Sequence, residues 1–209
     1  MMTKDVGLKI LLEKEIPKIK NPIKSLEQYT TPSELVLEMV EHSYLSGILN
    51  DSTTMDLGAG TCRIAIASLI MGATKSIAID IDNRFSSECL RSALKLGLKD
   101  RLLFLNAHIK NGAGLVRERS IDIVFMNPPF GVWNRGADRE FLEFSFSRLP
   151  RRIYSILKTG NISYHTKLSS KWGYKLKLIA TREFPIPASM PHHRSRMKKV
   201  KVDVVLFER

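Results

Sequence analysis

The run Ile-Asp-Ile-Val-Phe-Met at residues 121–126 is nearly continuous in apolar character and stops at Asn127-Pro128-Pro129-Phe130. Two consecutive prolines fix φ twice and remove two N–H donors, so a strand cannot pair onward through them. The run therefore reads as a buried parallel strand that ends at its carboxyl edge, where open α/β sheets place their ligands. Its surroundings agree. Strand-like residues 53–57, 76–80, 102–106, 121–126 and 152–158 interleave with helix-like residues 63–71, 85–96 and 139–149. Such alternation predicts βαβ units, with a mostly parallel sheet and helices on both faces. Residues 176–184 and 200–208 are two β-rich stretches, the second alternating at period two, and predict an antiparallel hairpin that finishes the sheet. Ahead of the first strand, residues 6–16 and 33–49 carry apolar stripes at helical spacing, separated by a Pro-rich break.

With 209 residues, 44% of them apolar, the chain fits one domain, residues 1–209, in which residues 1–32 form an N-terminal helix and a closing segment. Thirty-three Lys and Arg against 21 Asp and Glu give a formal charge of +12, which favours a polyanion, nucleic acid above all, through counterion release. No apolar run approaches the roughly 18 to 20 residues that span a bilayer, and the N-terminus lacks a signal-peptide core. The sequence-level expectation is thus a cytoplasmic protein without a membrane partner. The two cysteines, Cys62 and Cys89, lie outside any metal-ligand spacing. They are expected to be reduced and partly buried, with no disulfide and no metal site.

At the first strand-to-helix turn stands Asp56-Leu57-Gly58-Ala59-Gly60-Thr61, whose glycines let backbone approach a ligand that a Cβ would exclude. A dinucleotide fingerprint would need a third glycine where Arg63 stands, which weakens a redox reading. Asp80, at the end of the next strand, is placed to accept two ribose hydroxyls. Asp82 fits better as a helix N-terminal charge.

An acidic Gly-x-Gly turn, a strand-end Asp and Asn-Pro-Pro-Phe, in that order, resemble Rossmann-like class I S-adenosylmethionine-dependent amino-methyltransferases. Closer in, Leu26-Glu27-Gln28-Tyr29-Thr30-Thr31-Pro32, Asp80-Ile81-Asp82, Asn127-Pro128-Pro129-Phe130-Gly131, Asp138 with Phe141-Leu142, Tyr154-Ser155 and Pro187-Ala188-Ser189 resemble the methyltransferase-like-five family. The resemblance runs from about residue 26 to residue 207. It implies a seven-stranded sheet and adenine-N6 methylation of RNA, small-subunit ribosomal RNA above all. It also implies S-adenosylmethionine as cofactor and a small zinc-binding activator subunit as a partner to test for. By the same resemblance Gln28 and Thr31 close the methionine end of the cofactor, Asp56, Gly58, Gly60, Cys62 and Ile64 line it, and Asp80 holds the ribose. Where relatives carry an Asp after the third strand, this chain has Asn106-Ala107-His108, so Asn106 and His108 are both candidates for the cofactor adenine.

An Asn127 side-chain oxygen and a Pro128 carbonyl, held rigid by Pro129, are a pair of fixed acceptors suited to an exocyclic amino group, and Phe130 is placed to stack on the ring that bears it. Planar amides share this chemistry. A DNA adenine or protein glutamine methyltransferase therefore remains an alternative, as does a non-catalytic RNA-binding assembly protein on the same fold. The basic run from His192 to Lys199, between the last two strands, is expected to form a loop that contacts RNA. Trp133 lies in a glycine-flanked segment suited to a lid, and Trp172 is expected to pack its helix against the sheet.

Overall fold

The computed structural model describes residues 2–109, 116–131, 133, 135–187 and 197–209. Seven strands form one sheet in the order β3-β2-β1-β4-β5-β7-β6. They are β1 (Thr53–Leu57), β2 (Lys75–Asp80), β3 (Leu102–Asn106), β4 (Ile123–Met126), β5 (Arg152–Lys158), β6 (Lys175–Pro187) and β7 (Met197–Glu208). The first five pair in parallel, while β7 runs antiparallel to both β5 and β6. The helices are α1 (Met2–Glu15), α2 (Ser33–Leu45), α3 (Arg63–Met71), α4 (Arg84–Lys95), α5 (Ala137–Ser147) and α6 (Ile162–Ser170).

Strand period decides which core each residue enters. In β4, Ile123 and Phe125 join the cluster built with residues of α1 to α4, whereas Val124 and Met126 join the one built with α5 and α6. All four are buried, as a strand covered on both faces requires. The parallel order reverses between β1 and β4, where Leu57 registers with Met126. At this switch point the next residues on each strand, Gly58 and Asn127, come side by side, which is where open sheets form a ligand crevice.

The hairpin overreaches the sheet. β5 pairs with β7 only from Val202 to Glu208, and β6 pairs with β7 up to Met197. Residues 197–201 therefore project beyond Lys158, on the carboxyl edge. Of the run expected to be a loop, residues 192–196 lie outside the described part, and Met197 to Lys199 are strand. Trp172, expected to pack its helix against the sheet, lies just past α6 and stacks on Phe146 of α5 with centroids 6.2 Å apart.

The cysteines correct the sequence reading. Cys62 and Cys89 are bonded to each other with Cα atoms 5.5 Å apart, and both are fully buried. Cys62 takes a left-handed backbone, φ 63°, at the start of α3, which turns its side chain away from the ligand crevice and toward α4.

α1 is held by Arg63, whose guanidinium donates to the Leu12 and Ile16 carbonyls at 3.1 and 3.3 Å and to Glu13 Oε1 at 2.6 Å. These are carbonyls that the end of a helix leaves without partners. Ser33 hydrogen-bonds both Arg63 and Glu13. The Ser33 hydroxyl, followed by Lys18 and Arg63, holds the Glu13 carboxyl down to about 2. From this anchor, residues 17–31 run as a strap across the carboxyl edge of the sheet.

Candidate active site

One cleft runs under the strap and over the switch point, lined by Ile19, Gln28, Tyr29 and Thr31 from the strap, Gly58 to Thr61, Asp80, Ala107 to Ile109 and Asn127 to Pro129. Its floor is the glycine turn. Gly58 and Gly60 have φ of 69° and 51°, and a Cβ there would meet Phe141 Cε1 at 3.1 Å and Ile19 Cδ1 at 3.3 Å. Left-handed backbone and close overhead packing both favour glycine at these positions.

Asp80 closes the turn: its Oδ2 accepts the Gly60 N–H at 2.8 Å and its Oδ1 accepts the Asp82 N–H at 2.9 Å. Burial pushes its pKa up. Each oxygen keeps a second lone pair, so the ribose role read from sequence is compatible with these bonds. Asp56 stands behind the turn rather than among the lining residues. Its Oδ2 accepts the Ala65 N–H at 2.9 Å, its Oδ1 has no partner among the described residues, and burial followed by the nearby Asp80 charge pushes it up to about 7. Ile64 lines the cleft and Cys62 does not.

Gln28 reaches away from the glycine turn. Its Nε2 donates to Asp82 Oδ2 at 2.9 Å and its Oε1 accepts the Ile23 N–H at 2.8 Å, which pins the strap to the start of α4. Asp82 accepts the Arg84 N–H at 3.0 Å, as a helix N-terminal charge does, and the Arg84 guanidinium holds it down to about 2. Asn106 is occupied elsewhere, donating to the Asp80 and Ile81 carbonyls at 3.1 and 2.9 Å. His108, in contrast, lines the cleft.

At the other end, Asn127 Nδ2 donates to Thr31 Oγ1 at 3.1 Å, while Asn127 Oδ1 is shielded and has no hydrogen-bond partner among the described residues. Pro128 is buried and Pro129 half-buried beside it. Phe130 belongs to an aromatic cluster rather than to the cleft wall. It stacks on Tyr29 with centroids 6.2 Å apart and meets Phe184 of the projecting hairpin edge-on at 5.3 Å. Two contributors escaped sequence reasoning. Glu27 accepts two N–H groups of the Asn127 loop, and Phe184 supports Phe130. Neither has a local signal, because each interaction spans tens of residues of sequence.

The cleft suits S-adenosylmethionine. The left-handed glycine turn beneath the strap and the carboxylate at the next strand end, whose oxygens keep lone pairs for hydroxyls, are compatible with its nucleoside. A family model described as Ribosomal protein L11 methyltransferase (PrmA) matches residues 28–127, ending at Asn127. The rRNA N(6)-adenosine-methyltransferase Mettl5 of Drosophila melanogaster is 31% identical over 88% of this chain and 86% of its own. An uncharacterized protein of Methanocaldococcus jannaschii is 30% identical over 99% of this chain and 94% of its own. The crystal structure of a proposed RNA methyltransferase from Pyrococcus horikoshii has a TM-score of 0.85 at 28% identity, covering 100% of this chain and 98% of that one. A structure from Thermoplasma acidophilum, 20% identical with a TM-score of 0.68 over 98% of this chain and 96% of its own, shares the fold. With sheet order, glycine turn and near full-length similarity all in agreement, the chain belongs to the methyltransferase-like-five (Mettl5) family of class I methyltransferases.

Proposed function

We propose that this enzyme transfers the methyl group of S-adenosylmethionine to N6 of an adenine in RNA, and that the RNA is small-subunit ribosomal RNA. The observation that carries the reading is Asn127 Oδ1, a shielded acceptor with no hydrogen-bond partner among the described residues, on a residue that lines the cleft at the switch point and is followed directly by the Pro128 carbonyl. A buried acceptor left unpaired costs about 1–3 kcal/mol, so a donor is owed there. The two N6 hydrogens of adenine supply one donor for Asn127 Oδ1 and one for the Pro128 carbonyl. Relatives named for rRNA N(6)-adenosine methylation and the charge of +12 favour RNA. The L11 methyltransferase likeness ends at Asn127 and so brings the cofactor half without an acceptor.

In this reading Asp80 holds the ribose, Gly58 and Gly60 admit the amino-acid end close to backbone, and Ala107 to Ile109 flank the cofactor adenine. When bound, S-adenosylmethionine supplies an electrophilic methyl on a sulfonium sulfur. The N6 lone pair is delocalised into the ring and is a weak nucleophile. Hydrogen bonds from N6 to Asn127 and Pro128 turn the nitrogen toward tetrahedral geometry and its lone pair toward the methyl, so orientation supplies most of the rate. The N6 proton becomes acidic only as the new N–C bond forms, and no base has to remove it beforehand. The target base must be unpaired or flipped out to enter.

The test is methylation of total RNA with labelled cofactor, by the chain alone and with a small zinc-binding activator subunit, followed by nucleoside analysis. N6-methyladenosine in small-subunit rRNA, lost in Asn127→Ala, is the expected result. RNA that stays unlabelled in both arms, or label in a nucleoside other than N6-methyladenosine, would overturn it.

A further inference from the structure

Glu27 stands where the strap passes under the Asn127 loop, and methyl-transfer chemistry does not account for it. Its backbone is left-handed, φ 49°, closing the short turn Lys24–Leu26, a conformation that a non-glycine residue adopts only when its surroundings enforce it. Its side chain is buried, with 6% of the residue exposed. Both carboxylate oxygens are used: Oε2 accepts the Phe130 N–H at 2.7 Å and Oε1 accepts the Trp133 N–H at 2.9 Å.

Those donors matter because of what precedes them. Pro128 and Pro129 have no N–H, so the Phe130 amide is the first point after Asn127 at which the backbone of the motif can be held by a hydrogen bond to an acceptor. Fixing it fixes the peptide plane that follows Pro129. The same short stretch of strap holds the other side of the site as well. Thr31 accepts from Asn127, Gln28 donates to Asp82, and Thr30 Oγ1 accepts the Ile19 N–H at 2.8 Å where Ile19 crosses Gly60.

We propose that Glu27 is a latch, a positioning residue through which closure of the strap over the cofactor sets the target-base loop. The inference rests on the reading of Asn127 to Phe130 as the side that receives the base. An acceptor pair is required. Glutamine at this place offers one oxygen and turns an NH2 group toward a backbone N–H, so it can hold one of the two donors but not both. Strap closure then precedes completion of the base site, and cofactor binds before RNA.

The experiment uses the full chain with Trp172→Phe, which leaves Trp133 as the sole tryptophan of the two. In this parent, S-adenosylhomocysteine is expected to change Trp133 emission, because the strap that it closes holds the Trp133 amide. Adding Glu27→Gln should abolish that response and lower kcat at saturating cofactor and RNA at least tenfold, a far larger change than in cofactor Kd, with the variant still folded and melting in one transition. Three results would overturn the latch: a parent whose Trp133 emission ignores S-adenosylhomocysteine, a Glu27→Gln variant with parental kcat, or a kcat loss matched by equal losses in cofactor affinity and melting temperature. Asn127→Ala in the same background separates the two levels. If it stays active, the base-side reading fails; if it is inactive while Glu27→Gln turns over normally, only the latch fails.

Discussion

The side-chain amide of Asn127 is oriented by Thr31: the NH2 group donates to the Thr31 hydroxyl at 3.1 Å, which leaves the shielded oxygen without a partner among the described residues. The family resemblance assigns Thr31 to the methionine end of the cofactor, whereas its hydroxyl accepts from Asn127. Replacing Thr31 with Val keeps the shape and removes that bond. Single-turnover methylation should slow about fivefold, since one neutral hydrogen bond contributes about 1 kcal/mol. Thr31→Ser should stay near the parental rate, and equal rates for Val and Ser would show that the amide is oriented by something else.

Asp56 makes the ligand-free enzyme sensitive to pH in an unusual direction. Its folded pKa is pushed up to about 7, first by burial and then by Asp80, while an unfolded Asp titrates near about 3.9. The folded state thus prefers the protonated form. The corresponding stability is complete below about pH 4 and is lost as pH rises toward about 7. Asp56→Asn removes the charge and should melt higher than the parent at pH 7.5 but not at pH 4.5. Asp80 is shifted the same way and leaves part of the slope in both proteins. Melting curves that stay parallel across this window would clear Asp56 of the effect.

Much of the fold is legible in the sequence because period and punctuation are local. The apolar run predicts a strand from residue 121 and β4 begins at Ile123, while β1, β3, β5 and α3 fall on the residues expected. The antiparallel hairpin is legible from period-two alternation, though not its length, because Pro185 and Pro187 argue against a strand and are tolerated here on the outer edge strand β6. Cys62 and Cys89 show the limit. Their pairing depends on a left-handed residue at the start of α3 and on α4 crossing beside it, and a separation of 27 residues encodes neither. Glu27 is visible in the sequence only as part of a resemblance. Its two hydrogen bonds span 103 and 106 residues and become apparent once the strap is seen folded over the sheet.

Arg63 stands where a dinucleotide fingerprint would have a glycine, and it serves α1 instead. Arg63→Met keeps much of the buried stem and removes the guanidinium, leaving two helix-end carbonyls without their donor. Glu13 retains Lys18 and is 37% exposed, so most of the cost falls on the buried carbonyls. Denaturant unfolding should show a loss on the order of 2–3 kcal/mol. The strap loses its anchor with α1, so protease should cut within residues 17–31 sooner than in the parent. Unchanged stability and an intact strap would mean that apolar packing of Leu8, Leu12 and Ile16 holds α1 unaided.

The projecting hairpin gives the charge of the chain a place near the site. Lys198, Lys199 and Lys201 lie on the part of β7 that extends past β5, and the same arm carries Phe184 to Phe130. Lys199 is paired with Glu183 at 2.7 Å, but both side chains are more than half exposed, so a phosphate can compete for it. Replacing the three lysines with Ser should raise the RNA concentration for half-maximal rate and leave cofactor affinity unchanged. It should also flatten the log–log salt dependence of RNA binding by roughly 0.7 to 0.9 for each phosphate that these lysines neutralise. A parental salt slope in the triple variant would remove the hairpin from the RNA path and direct the search to Arg135 and to Arg151, exposed elsewhere on the surface.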